Sequence, residues 1–381
     1  MKKSRIAQGS LLALTSLTMA SQLYAVEPAA INFGPFDFSP VVQITNGYDD
    51  NFRAASTKED TWFTSIQPTF VLGTAGLKSE YQLSYRFIHD YFHSYSSEST
   101  TDHFLTAAAF FEFDSRNRLQ LSADFTDTTS INDANEPDDE FRTRGLNALY
   151  SFGARTARFN LDLGLDVSRT RTQNEINDDK DLNAHLISST LYYRVSPRTR
   201  MLAEIRQSKQ DYTINNALDS TNRNYLLGAE WEATAFTTGS VRIGRGKKDF
   251  KDADEPDVSR NMWELGLAWE PLTYSRFNLQ SRSSIEEGDE GATSIKQQLY
   301  RLGWNHDWNG FISTTATYSH TKKDYSTGRN DKLQTTSLGI NYAYDRWMDI
   351  GLRYQYTDNS SNINNESYNR NQIMLTFTVS L

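Results

Sequence analysis

The chain has 381 residues, a formal net charge of −9 and no cysteine, so disulfides contribute nothing to its stability. A net acid without a basic stripe is a poor nucleic-acid binder. The hydrophobic share of 38% is low, yet 13% of the residues are aromatic, which argues against disorder.

The first residues carry a basic cluster of Lys2, Lys3 and Arg5, followed by an apolar run from Leu11 to Ala20 and a small-residue end at Ala25. This predicts a secretory signal peptide over 1–25, too short to be a spanning helix. The rest of the sequence has no apolar run long enough for a transmembrane helix. Residues 26–37 read as an extended periplasmic lead-in with Pro28 and Pro35, and 38–381 as strands to the end.

Those strands alternate. Phe159, Leu161, Leu163, Leu165 and Val167 share one face, and Asn160, Asp162, Gly164 and Asp166 share the other. The same pattern sets Leu119, Leu121 and Ala123 against Gln120, Ser122 and Asp124. It recurs at Tyr225, Leu227 and Ala229, where Leu226 breaks it, at Trp263 to Trp269 and at Ile350 to Tyr356. Charges on half the positions would be prohibitive in a sandwich core, but they suit a wet bore backed by lipid.

Tight connections fall near Ala75, Ser115, Ala154, Pro197, Phe236, Leu272, Asn309 and Arg346, with Asn309-Gly310 a strong hairpin signal. Between them lie longer polar stretches at 48–60, 89–101, 128–140, 172–181, 209–220, 251–256, 286–291, 322–330 and 357–368. Eight tight turns and nine loops predict an all-β, transmembrane, antiparallel up-and-down β-barrel of about 18 strands, with both ends in the periplasm. Aromatics near the strand ends, among them Trp62, Phe63, Tyr91, Phe92, Trp231, Trp263, Trp269, Trp304, Trp308 and Trp347, suit interfacial girdles.

The alternation assigns the bore Glu80, Arg86, Asp124, Asp162, Asp166, Glu204, Arg206, Glu230, Glu232, Arg242, Glu264, Glu270, Arg282, Arg301 and Arg353. Charges lining a pore tune which solutes pass. Their mixed signs suit a polar, weakly charged solute, and they would also serve simply to hydrate and brace the wall.

Two acidic loops share an Asp-Ala-x-Glu-Pro-Asp core, at 133–138 and 252–257. They lack EF-hand spacing and predict a solvated surface or divalent-bridged contact with lipopolysaccharide, not a metal site. His89 and His93 have Ser94 and Ser96 near, but there is no GxSxG elbow and no HExxH. No catalytic residue, metal or cofactor is assigned.

Two segments resemble known families. The C-terminal QIMLTFTVSL, with Phe377, Val379 and Leu381 at alternate apolar positions, resembles the assembly signal of Gram-negative outer-membrane barrels, although the usual last residue is aromatic. That resemblance implies the barrel assembly machinery as a partner. The first strand runs into Tyr48, Asp49, Asp50, Asn51 and Phe52, followed by TWFTSIQPTFVLGT. This is similar to β-barrel porins found with bacterial exopolysaccharide and capsule systems. It implies an outer-membrane conduit for exported polysaccharide, partnered by a periplasmic export protein that lacks its own span. The motif residues would then shape the first extracellular loop. The residues alone leave open a diffusion porin for small polar solutes or a non-conducting surface barrel.

Overall fold

A computed structural model describes residues 30–131, 138–173, 179–234, 236–289 and 291–380. The signal-peptide expectation, most of the first acidic loop and Leu381 lie outside them.

The polypeptide is almost entirely strand. In order these are β1 (Ile31–Phe33), β2 (Phe36–Asp49), β3 (Thr61–Ala75), β4 (Ser79–Phe92), β5 (Thr100–Glu112), β6 (Asn117–Ser130), β7 (Asp139–Phe152), β8 (Phe159–Thr172), β9 (Leu182–Ser196) and β10 (Thr199–Tyr212). They continue as β11 (Ser220–Thr234), β12 (Thr237–Phe250), β13 (Val258–Leu272), β14 (Ser275–Glu287), β15 (Ser294–Asp307), β16 (Ile312–Tyr325), β17 (Asn330–Asp345), β18 (Met348–Ser361) and β19 (Tyr368–Ser380). Each pairs antiparallel with the next, and β19 pairs back onto β2 through Phe377↔Ile44 and Thr376↔Thr45. The ring therefore has 18 strands, β2 to β19, and no free edge. Closure is what a bilayer demands, because an unpaired N–H or C=O in hydrocarbon costs several kcal/mol.

Two expectations need correction. The lead-in is partly strand: Gly34, at φ 64, turns β1 back onto the start of β2, so the first barrel strand begins at Phe36. The extracellular loops are shorter than their polar composition suggests. Ladders run on through Thr357↔Arg370, Gln297↔Lys323 and Lys209↔Thr221, and the connections shrink to 50–60, 93–99, 131–138, 173–181, 213–219, 251–257, 288–293, 326–329 and 362–367. Strands of 13 to 16 residues exceed the roughly 9–11 needed to span a bilayer, so their upper rungs stand in water, where polar sequence no longer marks a loop.

The two faces are chemically opposite. Leu163 and Leu165 are 43% and 48% exposed on the outside, with Ile187, Met201, Ile243, Leu302, Leu338 and Leu375 exposed on the same skin. Asp162 and Asp166 point into the bore, and Leu226 follows them inward, buried as the ladder partner of Glu204. Trp269, Trp308 and Trp347 form a periplasmic aromatic belt with Phe311 and Tyr344, and Trp62 stands with Tyr48 and Tyr91 at the other end. Trp263 sits away from the strand ends, its Nε1 donating to Ser281 Oγ at 2.8 Å.

The seam carries its own fastening. Asp49 is fully buried at the top of β2 and accepts from Arg370 Nε at 2.8 Å, Arg370 Nη2, Gln372 Nε2 at 2.9 Å and the Asn51 backbone N–H at 3.0 Å. Asp50 accepts from Asn371 N (2.6 Å), Asn371 Nδ2 (2.8 Å) and Lys58 Nζ (2.7 Å). Asn51 Nδ2 donates to Ala55 O and Asn369 O. The Tyr-Asp-Asp-Asn stretch therefore shapes the first loop and also ties the first strand to the last.

Asp49→Ala leaves the Arg370 guanidinium without its carboxylate, a loss of about 3–5 kcal/mol for a buried pair. The folded band on an unheated gel should convert to the unfolded band at a clearly lower temperature. Burial pushes the Asp50 carboxyl up, but hydrogen bonds from Lys58 and Asn371 outweigh it and hold the group below its ordinary 3.8. A depressed carboxyl stabilises the fold above its unfolded value and loses that contribution as pH falls through the folded one. The conversion temperature of the native chain should therefore drop below about pH 3.8 more steeply than that of Asp50→Asn.

Candidate functional site

The inner wall places its charges by strand parity, since ladder partners share a face. Glu80 and Arg86 on β4, Asp124 on β6, and Asp162 and Asp166 on β8 all point inward. So do Glu204, Arg206, Glu230, Arg242, Glu264, Arg282, Arg301 and Arg353. Glu232 and Glu270 lie on the same face near the periplasmic rim. The structure sorts these residues into two kinds.

The first kind is a self-neutralised network on β10 to β13. Arg242 donates from Nε to Glu204 Oε2 (3.0 Å) and from Nη2 to Glu230 Oε1 (2.8 Å). Arg200 Nε reaches Glu230 Oε2 at 2.7 Å. Arg206 holds Glu264 in a two-pronged pair at 2.6 and 3.1 Å and also contacts Glu204. Arg242 and Glu204 are each 2% exposed. Charges so completely removed from water must be paired, because desolvation costs several kcal/mol per ion. This patch braces the wall and offers little to a passing solute. Arg282 and Glu286 on β14 pair similarly, as do Glu270 and Arg276 nearer the rim.

The second kind lies outside that network. Asp124 accepts only neutral donors, Thr106 Oγ1 (2.9 Å), Ser122 Oγ (3.2 Å) and Asn147 Nδ2 (3.0 Å). Asn147 is also the ladder partner of Asp166, which has no ion pair among the described residues. Opposite them, Arg301 on β15 has a buried Nε with no hydrogen-bond partner, and Arg353 lies on β18. In a ring of 18 strands, β15 stands directly across from β6. Asp124 and Asp166 are seven residues from the periplasmic ends of their strands, and Arg301 and Arg353 are six and five from theirs. A belt at mid-height thus has carboxylates on one arc and guanidiniums on the other. Arg86 lies over the Phe104 ring at 4.3 Å, and Glu80 is buried near the periplasmic rim.

The extracellular mouth is narrowed by a feature that composition hid. The β13–β14 ladder stops at Trp263↔Ser283, although β13 begins at Val258 and β14 runs to Glu287. Above that rung the upper end of β14 parts from β13 and its hairpin turns inward, while β15 stays paired to β16 up to Ile295↔Tyr325. Glu287 accepts from Lys248 Nζ (2.7 Å) on β12 and Tyr212 OH (3.0 Å) on β10, and Asp289 pairs with Lys180 of the 173–181 connection at 3.4 Å. Gly288 is required at the bend, since an added Cβ would lie 1.9 Å from the Ala292 carbonyl oxygen. Glu287 falls in a stretch whose sequence reads as loop, and only the strand alternation of Lys248 points to that residue. The inward hairpin has no signal in sequence.

Among the described residues His89 and His93 are hydrogen-bonded to threonines. His89 Nδ1 is hydrogen-bonded to Thr101 Oγ1 and His93 Nε2 to Thr64 Oγ1, not to Ser94 or Ser96. In the second acidic loop, Asp257 is used by Lys247 (2.9 Å) and the Phe250 N–H (3.3 Å).

A closed 18-stranded barrel with an oily skin and a charged bore is a porin-type protein of the bacterial outer membrane. The chain belongs to the family described as "Putative beta-barrel porin 2", which matches residues 24–381. This is a family of channel-type barrels, not of enzymes. The fold is similar to solved structures from Pseudomonas aeruginosa. OccK1 (OpdK) superposes with a TM-score of 0.52 at 11% identity, over 90% of this chain and 99% of its own. A second structure of the outer membrane protein OpdK gives 0.50 at 12%, covering 91% and 99%. OpdQ gives 0.50 at 11%, covering 91% and 98%. No curated protein matches the chain in sequence.

Arg242→Ala removes one of the two guanidiniums that neutralise buried Glu204 and leaves Glu230 to Arg200 alone; it should destabilise the barrel by about 3 kcal/mol, read as earlier urea unfolding in micelles. Glu287→Gln releases the hairpin from Lys248 and should raise single-channel conductance without a comparable loss of heat stability.

Proposed function

We propose that this porin is a passive diffusion channel for small polar solutes across the outer membrane. The observation that carries the reading is the mid-height belt, with Asp124 and Asp166 facing the Arg301 and Arg353 arc. A transverse field of this kind aligns dipolar, hydrated solutes and discourages apolar ones. The hairpin held by Glu287 limits the size of what enters. The solved structure of OpdK with vanillate shows that a related fold accommodates a small carboxylate, which is consistent with a small-solute path.

Polysaccharide export, implied by the resemblance of the first strand and loop, finds less support. On this inner wall Phe104 lies under Arg86 and Tyr192 under Arg200 at 4.1 Å, so these two ring faces are not offered to a sliding sugar chain. The family description names a porin and no polymer.

Liposomes containing the purified barrel should swell in small sugars such as arabinose and progressively less as sugar size grows. No swelling in any sugar, together with loss of surface polysaccharide on gene deletion, would reverse the conclusion in favour of export. In planar bilayers, Asp124→Asn with Asp166→Asn should move the reversal potential toward anion preference, and Arg301→Gln with Arg353→Gln toward cation preference.

A further inference from the structure

The skin of the barrel is not uniformly convex. Over β5 to β7 the outward positions Ala107, Ala109, Ala123 and Ala148 are small, and they leave an apolar recess of about 580 Å³ walled by larger residues such as Leu121 and Leu165. A second recess of about 410 Å³ adjoins it toward the extracellular side, shares Ala123, Leu146 and Val167, and ends at Arg144 and Arg169.

These two arginines are direct ladder partners across β7 and β8 and point outward with Leu146 and Val167. Like charges opposite one another on a sheet are destabilising. The next rung, Arg142↔Arg171, resolves the same conflict internally: Arg142 pairs with Asp127 at 2.7 Å and Arg171 with Asp181 at 3.4 Å. The side chains of Arg144 and Arg169 have neither ion pair nor hydrogen bond among the described residues. They stand where the apolar skin of this face ends, one outward position above Leu146 and Val167. Guanidinium forks match phosphate oxygens in geometry and charge.

We propose that this face binds a phosphorylated outer-leaflet lipid of the lipopolysaccharide type. A phosphate sits between Arg144 and Arg169, and an acyl chain lies in the alanine-floored recess. The phosphate relieves the like-charge pair, and the chain fills a hollow that would otherwise lack contacts. The site is on the outside and does not depend on what passes through the bore.

The test uses the full barrel refolded from inclusion bodies, free of lipid, and titrated in detergent with purified lipid A, dephosphorylated lipid A or inorganic phosphate, with native mass spectrometry as the readout. The native barrel should retain one lipid A, and at least tenfold less of the dephosphorylated form. Arg144→Gln with Arg169→Gln should weaken lipid A binding at least tenfold. Ala123→Leu, which fills the recess and leaves the arginines in place, should also weaken it. Conductance and heat-modifiable mobility should be unchanged in both, which separates lost binding from lost folding. Equal retention of lipid A and its dephosphorylated form, undiminished binding in the double variant, or full displacement by inorganic phosphate would each overturn the assignment.

Discussion

The constraint on which the structure depends is that no backbone polar group can be left unpaired in hydrocarbon. An open sheet of these strands would present two bare edges to lipid. The chain meets the constraint by returning β19 to β2, and the residues nearest that join are unlike those elsewhere. Most of the wall is held by the ladder and by modest cross-strand contacts. The seam adds a fully buried carboxylate, a two-pronged arginine and paired amide bonds at its upper end. The same closure fixes strand parity all round the ring, so each inward charge and each outward leucine is a consequence of it.

Within the bore, partnering separates architecture from function better than residue type does. Glu204 and Asp124 are both inward acids near mid-height. The first is buried between two guanidiniums, and the second accepts only hydroxyl and amide donors. A charge already neutralised by its neighbours contributes little field to the lumen, whereas one held by neutral groups projects it. The barrel therefore has a mechanically braced side from β10 to β13, while Asp124 on β6 and Arg301 on β15 stand outside that network.

Much of this was legible in the sequence because a strand has only two faces. Alternation in Phe159 to Val167 and in Tyr225 to Trp231 sufficed to assign skin and bore, and glycine, proline and asparagine marked the turns, which brought out all eighteen strands. Three things were not legible. Loop limits failed where strands continue into water and polar residues occur in both. The pairing of Arg242 with Glu204 and Glu230 depends on rotamers and register across strands far apart in sequence. The inward fold of the β14–β15 hairpin depends on contacts from Glu287 and Asp289 to partners on β10, β12 and the β8–β9 connection, which no local pattern encodes.

The seam also orders events in time. Its side-chain bonds join residues 318 to 331 positions apart, and bringing together the ends of so long a chain costs about 5 kcal/mol in loop entropy alone. Each charge-assisted hydrogen bond contributes about 1.5–3 kcal/mol, so several must form together before the join is favourable. Each ladder formed between neighbouring hairpins shortens the loop that the join must close, so the cost of the seam falls as the rest of the wall is built.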